Sequence, residues 1–390
     1  MRKKYNIITI ADIHWGSIDP VEHLKALEFI IDFIKNMNDI DLVVIAGDYF
    51  DSKLPLNSRE ALIAIQWMYY LVNVCKESGV SCIRAFQGTL DHDNNQLDAF
   101  KNLDDGTGFF KIFINTTLEE TLPGLNCIYC PDETIETSEY EFIYTNQILA
   151  KKNIGFFHGS FDVVYGELLA SKPELMKKQN VVFRYDLWNK VIDGPMIAGH
   201  WHDGKQYDNL YYCGSPHRYK FNEDEPKGFI FTQYDIETNE YYVKKIINPL
   251  CAIYKTYEIY SNMYNTKEDY KKVVDDIRCI IEDLSNSTLN NKLRIMIYLV
   301  DDKPENDVFL SSLRQEINGK DNVKITIKNK LKDKLKKESL KKNKDKQTKF
   351  SFIYDKEMHP CKVIQEFIRS TVSEEIPLEF IEDKYKKYFK

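Results

Sequence analysis

Five of the eight histidines in this chain lie in short segments that also contain aspartate or glycine. These segments are Asp12-Ile13-His14, Asp91-His92-Asp93, His158-Gly159 and Gly199-His200-Trp201-His202, and Gly47-Asp48-Tyr49-Phe50-Asp51 lies between the first two. Imidazole and carboxylate groups are ligand types that suit a pair of transition-metal ions. Because histidine is uncommon in the chain, this clustering predicts a metal site.

The spacing within these segments fits two ions that share one carboxylate. Asp12 and His14 are two residues apart, so both side chains can reach one ion. Asp48 follows Gly47, which allows tight backbone passage, and is the natural bridge between the ions. Metal pairs about 3.5–4 Å apart activate water and clamp the oxygens of an in-line phosphoryl displacement. The pattern therefore favours phosphoester hydrolysis.

Predicted strands place these segments at one edge of the fold. Apolar runs at 5–11, 42–46 and 80–86 read as buried strands, and they alternate with helical periodicity at 21–36 and 57–77. Alternating strands and helices indicate an α/β fold. Further strands are predicted at 154–157 and 196–198, and those at 210–213, 228–235 and 241–247 are expected to form a second sheet. Each histidine or aspartate segment begins where a predicted strand ends, which is where ligands bind in open α/β sheets.

The pattern changes near Pro249. The predicted elements after it are strands at 253–260, 293–300 and 323–327 and helices at 266–284 and 305–317. Together they indicate a small α+β domain, so we expect domains at 1–250 and 251–328. Residues 329–349 are rich in lysine and read as a mobile linker or a solvated helix. Residues 350–390 form the last predicted segment, with one apolar set suited to a helix at Ile364, Phe367 and Ile368 and another at Phe380, Ile381, Tyr385 and Phe389.

Composition limits the alternatives. The net charge of −7 means that nucleic-acid contact would depend on local basic patches. The eight scattered cysteines fit a reducing compartment, and the pair Cys127 and Cys130 alone is weak evidence for zinc. The apolar stretch from Tyr5 to Ile10 is too short for a signal peptide, and no stretch approaches a membrane span. These features predict a cytoplasmic protein.

The order D-x-H, G-D-x-x-D, (N/D)-H-D, H-G and G-H-x-H resembles calcineurin-like metallophosphoesterases, most closely at 8–16, 44–51 and 196–204. Gly214-Ser215-Pro216-x-Arg218, followed by Lys227-Gly228-Phe229, is similar to the SbcD-type nucleases, the nuclease subunits of SbcCD-type complexes. This resemblance covers about residues 5–235. It implies a sandwich of two sheets flanked by helices, with the small domain acting as a cap and a C-terminal helical segment.

The resemblance also implies roles for individual residues. Asp12, His14, Asp48 and His202 would hold one ion, and Asp48, Asp91, His158 and His200 would hold the other. His92 would protonate the leaving oxygen or stabilise the transition state, and Asp93 would orient His92. Arg218 and His217 are candidate substrate-binding residues, and Asp51 is either a supporting residue behind a ligand or a helix cap. Manganese is the expected metal, with magnesium as the alternative.

The third element departs from the family pattern. Where the family usually has Gly-Asn-His-Asp, this chain has Gly88-Thr89-Leu90-Asp91-His92-Asp93, with two extra residues and Asp91 in the place of asparagine. A third carboxylate in the site would bind the metals more tightly and weaken their Lewis acidity. The irregular third element of this chain resembles those of phage-encoded family members. This resemblance favours a viral origin and a location in the infected host cell.

These features predict a two-metal DNA nuclease, acting as an exonuclease on duplex ends and as an endonuclease on single strands or hairpins. The C-terminal segment would bind an SbcC-type ATPase, with packing on its own chain as the alternative, and the protein would form a homodimer. Two other functions stay open. One is a phosphodiesterase or phosphatase of non-DNA substrates, and the other is a DNA-end scaffold that has lost catalysis.

Overall fold

A computed structural model describes residues 4–37, 39–55, 57–93, 95–132, 153–164, 182–263, 266–301, 303–329, 361–366, 379 and 381–382. Its strands are β1 (Lys4–Ile10), β2 (Leu42–Ala46), β3 (Cys82–Phe86), β4 (Phe110–Phe113), β5 (Thr117–Leu122), β6 (Leu125–Cys130), β7 (Asn153–His158), β8 (Ser160–Phe161), β9 (Val182–Phe183), β10 (Met196–Gly199), β11 (Gln206–Tyr207), β12 (Leu210–Tyr212), β13 (Gly228–Asp235), β14 (Tyr241–Ile247), β15 (Tyr254–Tyr260), β16 (Lys292–Leu299) and β17 (Val323–Asn329). Its α-helices are α1 (Pro20–Asn36), α2 (Arg59–Glu77), α3 (Leu90–Asp93), α4 (Tyr185–Trp188), α5 (Lys267–Ser285) and α6 (Pro304–Glu316), and 3₁₀ turns span Gln96–Leu103 and Ser261–Met263.

Two six-stranded sheets form the larger part of the fold. The first has the order β14-β13-β1-β2-β3-β4, and the second has the order β11-β12-β10-β7-β6-β5. In the first sheet β1 to β4 run parallel, and β13 pairs antiparallel with β1. In the second sheet β12, β10, β7 and β6 run parallel. The predicted α/β fold with two sheets flanked by helices is confirmed. The expected grouping of the strands at 210–213, 228–235 and 241–247 in one second sheet is wrong: β13 pairs antiparallel with β1, so β13 and β14 extend the first sheet, and only β12 lies in the second.

Alternating side chains of the strands fill two separate cores. Ile7 of β1 and Val44 of β2 point toward Tyr129, Phe156 and Ile197 of the second sheet and form the core between the sheets. The opposite face of the same strands packs against α1 and α2, through Ile8, Val43, Leu27, Ile30 and Leu71. Successive side chains of a strand point to opposite faces of the sheet. Both sets are apolar here, so the first sheet is buried on both faces.

Capping residues fix where the two long helices begin. The Asp19 side chain accepts hydrogen bonds from the amides of Val21 and Glu22, and Pro20 occupies the first turn of α1. The Ser58 hydroxyl accepts from the amide of Ala61 at the start of α2.

Cys127 and Cys130 lie in β6 and are both fully buried. Cys127 belongs to the core between the sheets, whereas Cys130 packs in the core on the opposite face of the second sheet. Residues three apart in a strand point to opposite faces, so these two thiols cannot bind one ion. Burial also raises the pKa of the Cys127 thiol to about 12.

The chain divides into two compact units, one of 1–256, 279–294 and 321–324, the other of 257–278, 295–320 and 325–390. The strands β15, β16 and β17 form a three-stranded sheet in this order. The predicted domain boundary at 250 stays a prediction. The predicted linker also stays one, since 330–360 lies outside the described residues. Residues 361–366 are helical, but Phe367, Ile368, Phe380, Tyr385 and Phe389 lie outside the described part. Among the described residues, no helix is long and apolar enough to cross a membrane.

Candidate metal centre

The predicted ligands lie at the carboxyl ends of adjacent parallel strands. Asp12 and His14 follow β1, Asp48 follows β2, His158 ends β7 and His200 follows β10. In the second sheet His158 pairs with Gly199, so the ends of β7 and β10 are level. The structure therefore brings residues from distant parts of the sequence to one place, as the strand-end pattern predicted.

These residues form three groups of potential metal ligands among the described residues. Within each group the ligand atoms lie within 4.8 Å of one another. The groups are Asp12, His14 and His202, then His14, Asp48 and His92, and finally Asp48, His158 and His200. Whether each residue binds metal stays a prediction, but the structure brings together every predicted ligand except Asp91.

Four of these residues have a left-handed backbone conformation. The φ angles are +54° at Asp12, +52° at His14, +48° at Asp48 and +88° at His200. Such angles cost about 1–3 kcal/mol each outside glycine and cluster at functional sites. They turn the chain sharply after each strand, so that the side chains project inward from the strand ends.

Gly47 shows how closely this backbone is packed. Its φ is +77°, and a Cβ at this position would overlap the imidazole of His158 and the backbone of Gly88. Only glycine meets both requirements. The glycine before Asp48 therefore allows the loop after β2 to lie directly against a ligand of the second sheet.

The first group, Asp12, His14 and His202, contains two imidazoles that face one another. The Nε2 atoms of His14 and His202 lie 2.9 Å apart. The Asp12 carboxylate accepts from the amide of His200 at 2.8 and 3.0 Å. Two nitrogens aimed at the same small volume, beside a buried carboxylate, form a donor set suited to a divalent ion.

Glu223 holds His202 in this orientation. The Nδ1 of His202 lies 2.9 Å from Oε1 of Glu223, and Nζ of Lys227 lies 3.2 Å from Oε2 of the same carboxylate. Burial alone would raise the pKa of Glu223, but the hydrogen bond from His202 and the charge of Lys227 lower it to about 2. An ionised Glu223 accepts a hydrogen bond from Nδ1–H of His202. Nε2 of His202 is then available to a metal, which is the usual arrangement behind ligating histidines.

The third group is centred on His158. Its Nδ1 lies 2.8 Å from the carbonyl oxygen of Ala46, which fixes the tautomer, and its Nε2 lies 3.1 Å from Oδ2 of Asp48. Burial alone would raise the pKa of Asp48, but the surrounding imidazoles of His158, His14 and His92 hold it below its ordinary value. Asp48 therefore stays ionised and belongs to two of the three groups, as expected of a bridging ligand.

His92 lies beside Asp48 at the edge of the centre. Its Nδ1 hydrogen-bonds with the carbonyl oxygen of Asp51, and its Nε2 lies 3.9 Å from Oδ2 of Asp48. Its side chain is 30% exposed, whereas that of Asp48 is 3% exposed. His92 is thus anchored at one nitrogen and reaches solvent beside the buried groups, as a proton donor to an incoming substrate requires.

The structure gives Asp93 partners other than the expected His92. Its fully buried carboxylate accepts from the amide of Phe50 at 3.0 Å and from the amide of Gly88 at 2.7 Å. Burial and the nearby charge of Asp48 raise the pKa of Asp93 to about 7. Asp93 ties the loop after β3 to the loop that carries Asp48, and the backbone of Asp51 orients His92.

Asp91, the predicted asparagine substitute, is exposed and lies in none of the three groups. Leu90–Asp93 form the single helical turn α3, on which Asp91 is exposed. Thr89 occupies the inner position instead, with its amide donating to Oδ1 of Asp48 at 2.7 Å. Asp51 supports His14, with 3.4 Å between its Oδ1 and Nδ1 of His14.

The two candidate substrate-binding residues lie in structural contacts. His217 is fully buried, with its Nε2 3.3 Å from Oε1 of Glu22. The Arg218 guanidinium donates to the carbonyl oxygens of Glu223 and Ala252 at 2.8 and 3.1 Å. Neither residue belongs to the ligand groups, and their role in substrate binding stays a prediction.

Sequence comparison gives a family assignment. The model of the calcineurin-like phosphoesterase family matches residues 5–238, more than half of the chain. No curated protein sequence matches significantly.

Among solved structures, the cold-active protein-tyrosine phosphatase of a psychrophilic Shewanella species aligns with 11% identity and a TM-score of 0.29, over 62% of this chain and 80% of its own. A point mutant of that phosphatase gives a TM-score of 0.30 with the same identity and coverage. A further crystal structure gives 0.36 and 11% identity, over 62% of this chain and 99% of its own. The family match and the strand-end groups of imidazoles and carboxylates agree, and the chain belongs to the calcineurin-like phosphoesterases, a family of hydrolases that use divalent metals.

Proposed function

We propose that this protein is a metal-dependent DNA nuclease of the SbcD type. The observation that carries the proposal is the way the G-S-P-x-R…K-G-F segment is built into the metal centre. Lys227 is buried, donates to the carbonyl oxygen of His202 at 2.9 Å and pairs with Glu223. The hydroxyl of Tyr219, which lies between Arg218 and Lys227 of the segment, hydrogen-bonds with the carbonyl oxygens of Asp12 and Ile13. Lys227 of the SbcD-like segment and the neighbouring Tyr219 thus contact the backbone of residues in the first ligand group.

The chain offers suitable ligands for two ions. Asp12, His14, Asp48 and His202 would hold one, and Asp48, His158 and His200 would hold the other. When bound, such ions polarise the phosphoryl group and activate water. Manganese is the metal we expect, with magnesium as the alternative.

The protein's own residues position the reaction. Asp48 stays ionised between the ligand groups, and Glu223 and the Ala46 carbonyl keep Nε2 of His202 and of His158 directed inward. His92, fixed through Nδ1 by the Asp51 carbonyl, would hold a proton at Nε2 for the departing oxygen of the phosphodiester. General acid assistance of this kind contributes about 10²–10⁴-fold to rate.

The remaining parts of the proposal come from the resemblance. The C-terminal segment, of which residues 361–366 are helical, would bind an SbcC-type ATPase, and the nuclease would act as a homodimer. Exonuclease action on duplex ends and endonuclease action on single strands or hairpins would follow from this assembly.

The proposal is tested by incubating the purified protein with end-labelled linear duplex DNA and, in parallel, with a generic phosphodiester chromogen and a phosphotyrosine peptide. Each substrate is assayed with manganese, with magnesium and with a chelator, and His92→Asn serves as the matched variant. We expect manganese-dependent DNA cleavage that His92→Asn largely abolishes. Hydrolysis of the small substrates without DNA cleavage would instead establish a phosphatase or phosphodiesterase. Metal binding without any hydrolysis would establish a non-catalytic DNA-end scaffold.

A further inference from the structure

The two metal positions are unequally supplied with ligands. Four side chains, Asp12, His14, Asp48 and His202, are available to the first. The second has Asp48, His158 and His200. Its expected fourth ligand, an oxygen from the third sequence element, is missing because Asp91 is exposed.

Asp132 lies at the strand end where such an oxygen is needed. It follows β6, and β6 is the parallel neighbour of β7, with Cys130 of β6 level with Phe157 of β7. One residue after Phe157 comes His158, and two residues after Cys130 comes Asp132. The adjacent parallel strands β6, β7 and β10 therefore each deliver one ligand-type side chain at the same edge, namely Asp132, His158 and His200.

The carboxylate of Asp132 lies beside the backbone next to His158, although Asp132 belongs to none of the three ligand groups as they stand in this structure. A Cβ on Gly159, the residue after His158, would lie 3.6 Å from Oδ1 of Asp132, so this carboxylate passes close to the backbone beside the histidine. Asp132 is half-buried. Burial raises the pKa of its carboxyl group, while the charges of His158 and His200 act in the opposite direction.

Thr89 connects Asp132 to the centre. The Thr89 hydroxyl is close enough to the Asp132 carboxyl group to oppose the rise in its pKa. The same hydroxyl oxygen lies 3.3 Å from Oδ2 of Asp48 and 3.5 Å from Nε2 of His158. Asp132 is thus one hydroxyl group away from two predicted ligands of the second ion.

We propose that Asp132 supplies the missing oxygen ligand of the second metal position and that Thr89 positions it. The oxygen ligand would then come from the loop after β6 and not, as the family pattern suggests, from the loop after β3, where Asp91 is exposed. The site would then hold three carboxylates, Asp12, Asp48 and Asp132. Hard oxygen ligands of this kind suit manganese and magnesium. The proposal rests on the metal pair of the proposed function but not on DNA as its substrate.

The test measures metal content in the absence of substrate. Asp132→Ala, Thr89→Val and the matched control Asp91→Ala are loaded with manganese, desalted and analysed for bound metal by mass spectrometry. Magnetic coupling between the two manganese ions is followed by electron paramagnetic resonance. We expect two coupled ions in the unchanged protein and in Asp91→Ala, and one uncoupled ion in Asp132→Ala.

The size of the effect separates a ligand from a supporting residue. Loss of a residue behind a ligand lowers metal affinity about 10–100-fold. We therefore expect the second ion to bind Asp132→Ala more than about 100-fold more weakly, and Thr89→Val to stay within the smaller range. Asp132→Asn, which keeps an oxygen in place, should recover part of the affinity and controls for a folding defect.

Two coupled ions of unchanged affinity in Asp132→Ala would overturn the proposal. So would loss of the second ion in Asp91→Ala, or a larger loss in Thr89→Val than in Asp132→Ala. Failure to cleave DNA would overturn the proposed function but not this assignment, because the two readouts are independent.

Discussion

The two halves of the metal centre differ in how firmly the protein holds them. The first half, around His14 and His202, is supported by Glu223, Lys227 and Tyr219, and its sequence motifs match the family closely. The second half has one firmly held imidazole, His158, but an irregular third element with the exposed Asp91. Sequence motifs are reliable where many buried contacts fix one geometry. Where a loop is exposed, as after β3, the motif no longer fixes which residue faces the metal site, and a residue after a neighbouring strand can take its place.

The strongest test of this comparison is Asp48→Asn, because Asp48 belongs to both halves. The substitution removes the charge shared between the ions. We therefore expect the affinity for both ions to fall and hydrolysis to drop to background. Metal content and cleavage of labelled DNA measure this. Two tightly held ions in the variant would contradict the bridging role.

His92→Asn separates catalysis from metal binding. His92 lies at the edge of the centre and is anchored through the Asp51 carbonyl, so we expect unchanged metal content and a loss in kcat of about 10²–10⁴-fold. Steady-state kinetics at saturating manganese give the value. Turnover close to that of the unchanged protein would mean that another group protonates the leaving oxygen.

Glu223→Gln sharpens the difference between the halves. It weakens the support behind His202 without touching His158, so we expect metal affinity at the first position to fall about 10–100-fold while the second keeps its affinity. Manganese titration followed by calorimetry resolves the two steps. Equal weakening of both positions would show that the halves are not independent.

Glu22→Gln extends the comparison to a buried polar cluster outside the ligand groups. Oε1 of Glu22 accepts from the hydroxyl of Tyr254 at 2.8 Å, and Oε2 lies 3.2 Å from Nζ of Lys292. Burial opposes ionisation, but His217, Tyr254 and Lys292 lower the pKa of Glu22 from 4.5 to about 2. Since the folded pKa is depressed, the stabilisation is present above about pH 4.5 and is lost as the pH falls toward 2.

We therefore expect Glu22→Gln to lower the free energy of unfolding by about 2–3 kcal/mol near neutral pH, with the difference from the unchanged protein shrinking between pH 4.5 and pH 2. Urea unfolding at a series of pH values measures it. A difference that does not depend on pH would show that the carboxylate charge is not the source of the stability.

Much of this molecule was predictable from local sequence. The strand at 42–46 and those at 228–235 and 241–247 have the predicted bounds, because long apolar or alternating runs fix a strand without help from distant residues. The tight backbone passage after β2 was expected from Gly47, whose φ is +77°. Strands β4, β5 and β6 were not predicted, since polar side chains such as those of Glu119 and Glu120 interrupt their apolar pattern.

The supporting residues of the site were not predictable in the same way. Glu223 stands in no motif of recognisable spacing, and only loop packing brings it to His202. Asp91 was expected to bind a metal but is exposed, and sequence alone does not show that Leu90–Asp93 form a helical turn. Asp93 was expected to contact a side chain but binds two backbone amides.

The left-handed conformations at Asp12, His14, Asp48 and His200 limit the mutations that this chain can accept. Asparagine and aspartate enter that region more readily than other residues, and β-branched side chains are the least compatible with it. A library selected only for folded protein, with no demand for metal or cleavage, would therefore still be depleted of valine and isoleucine at these four positions.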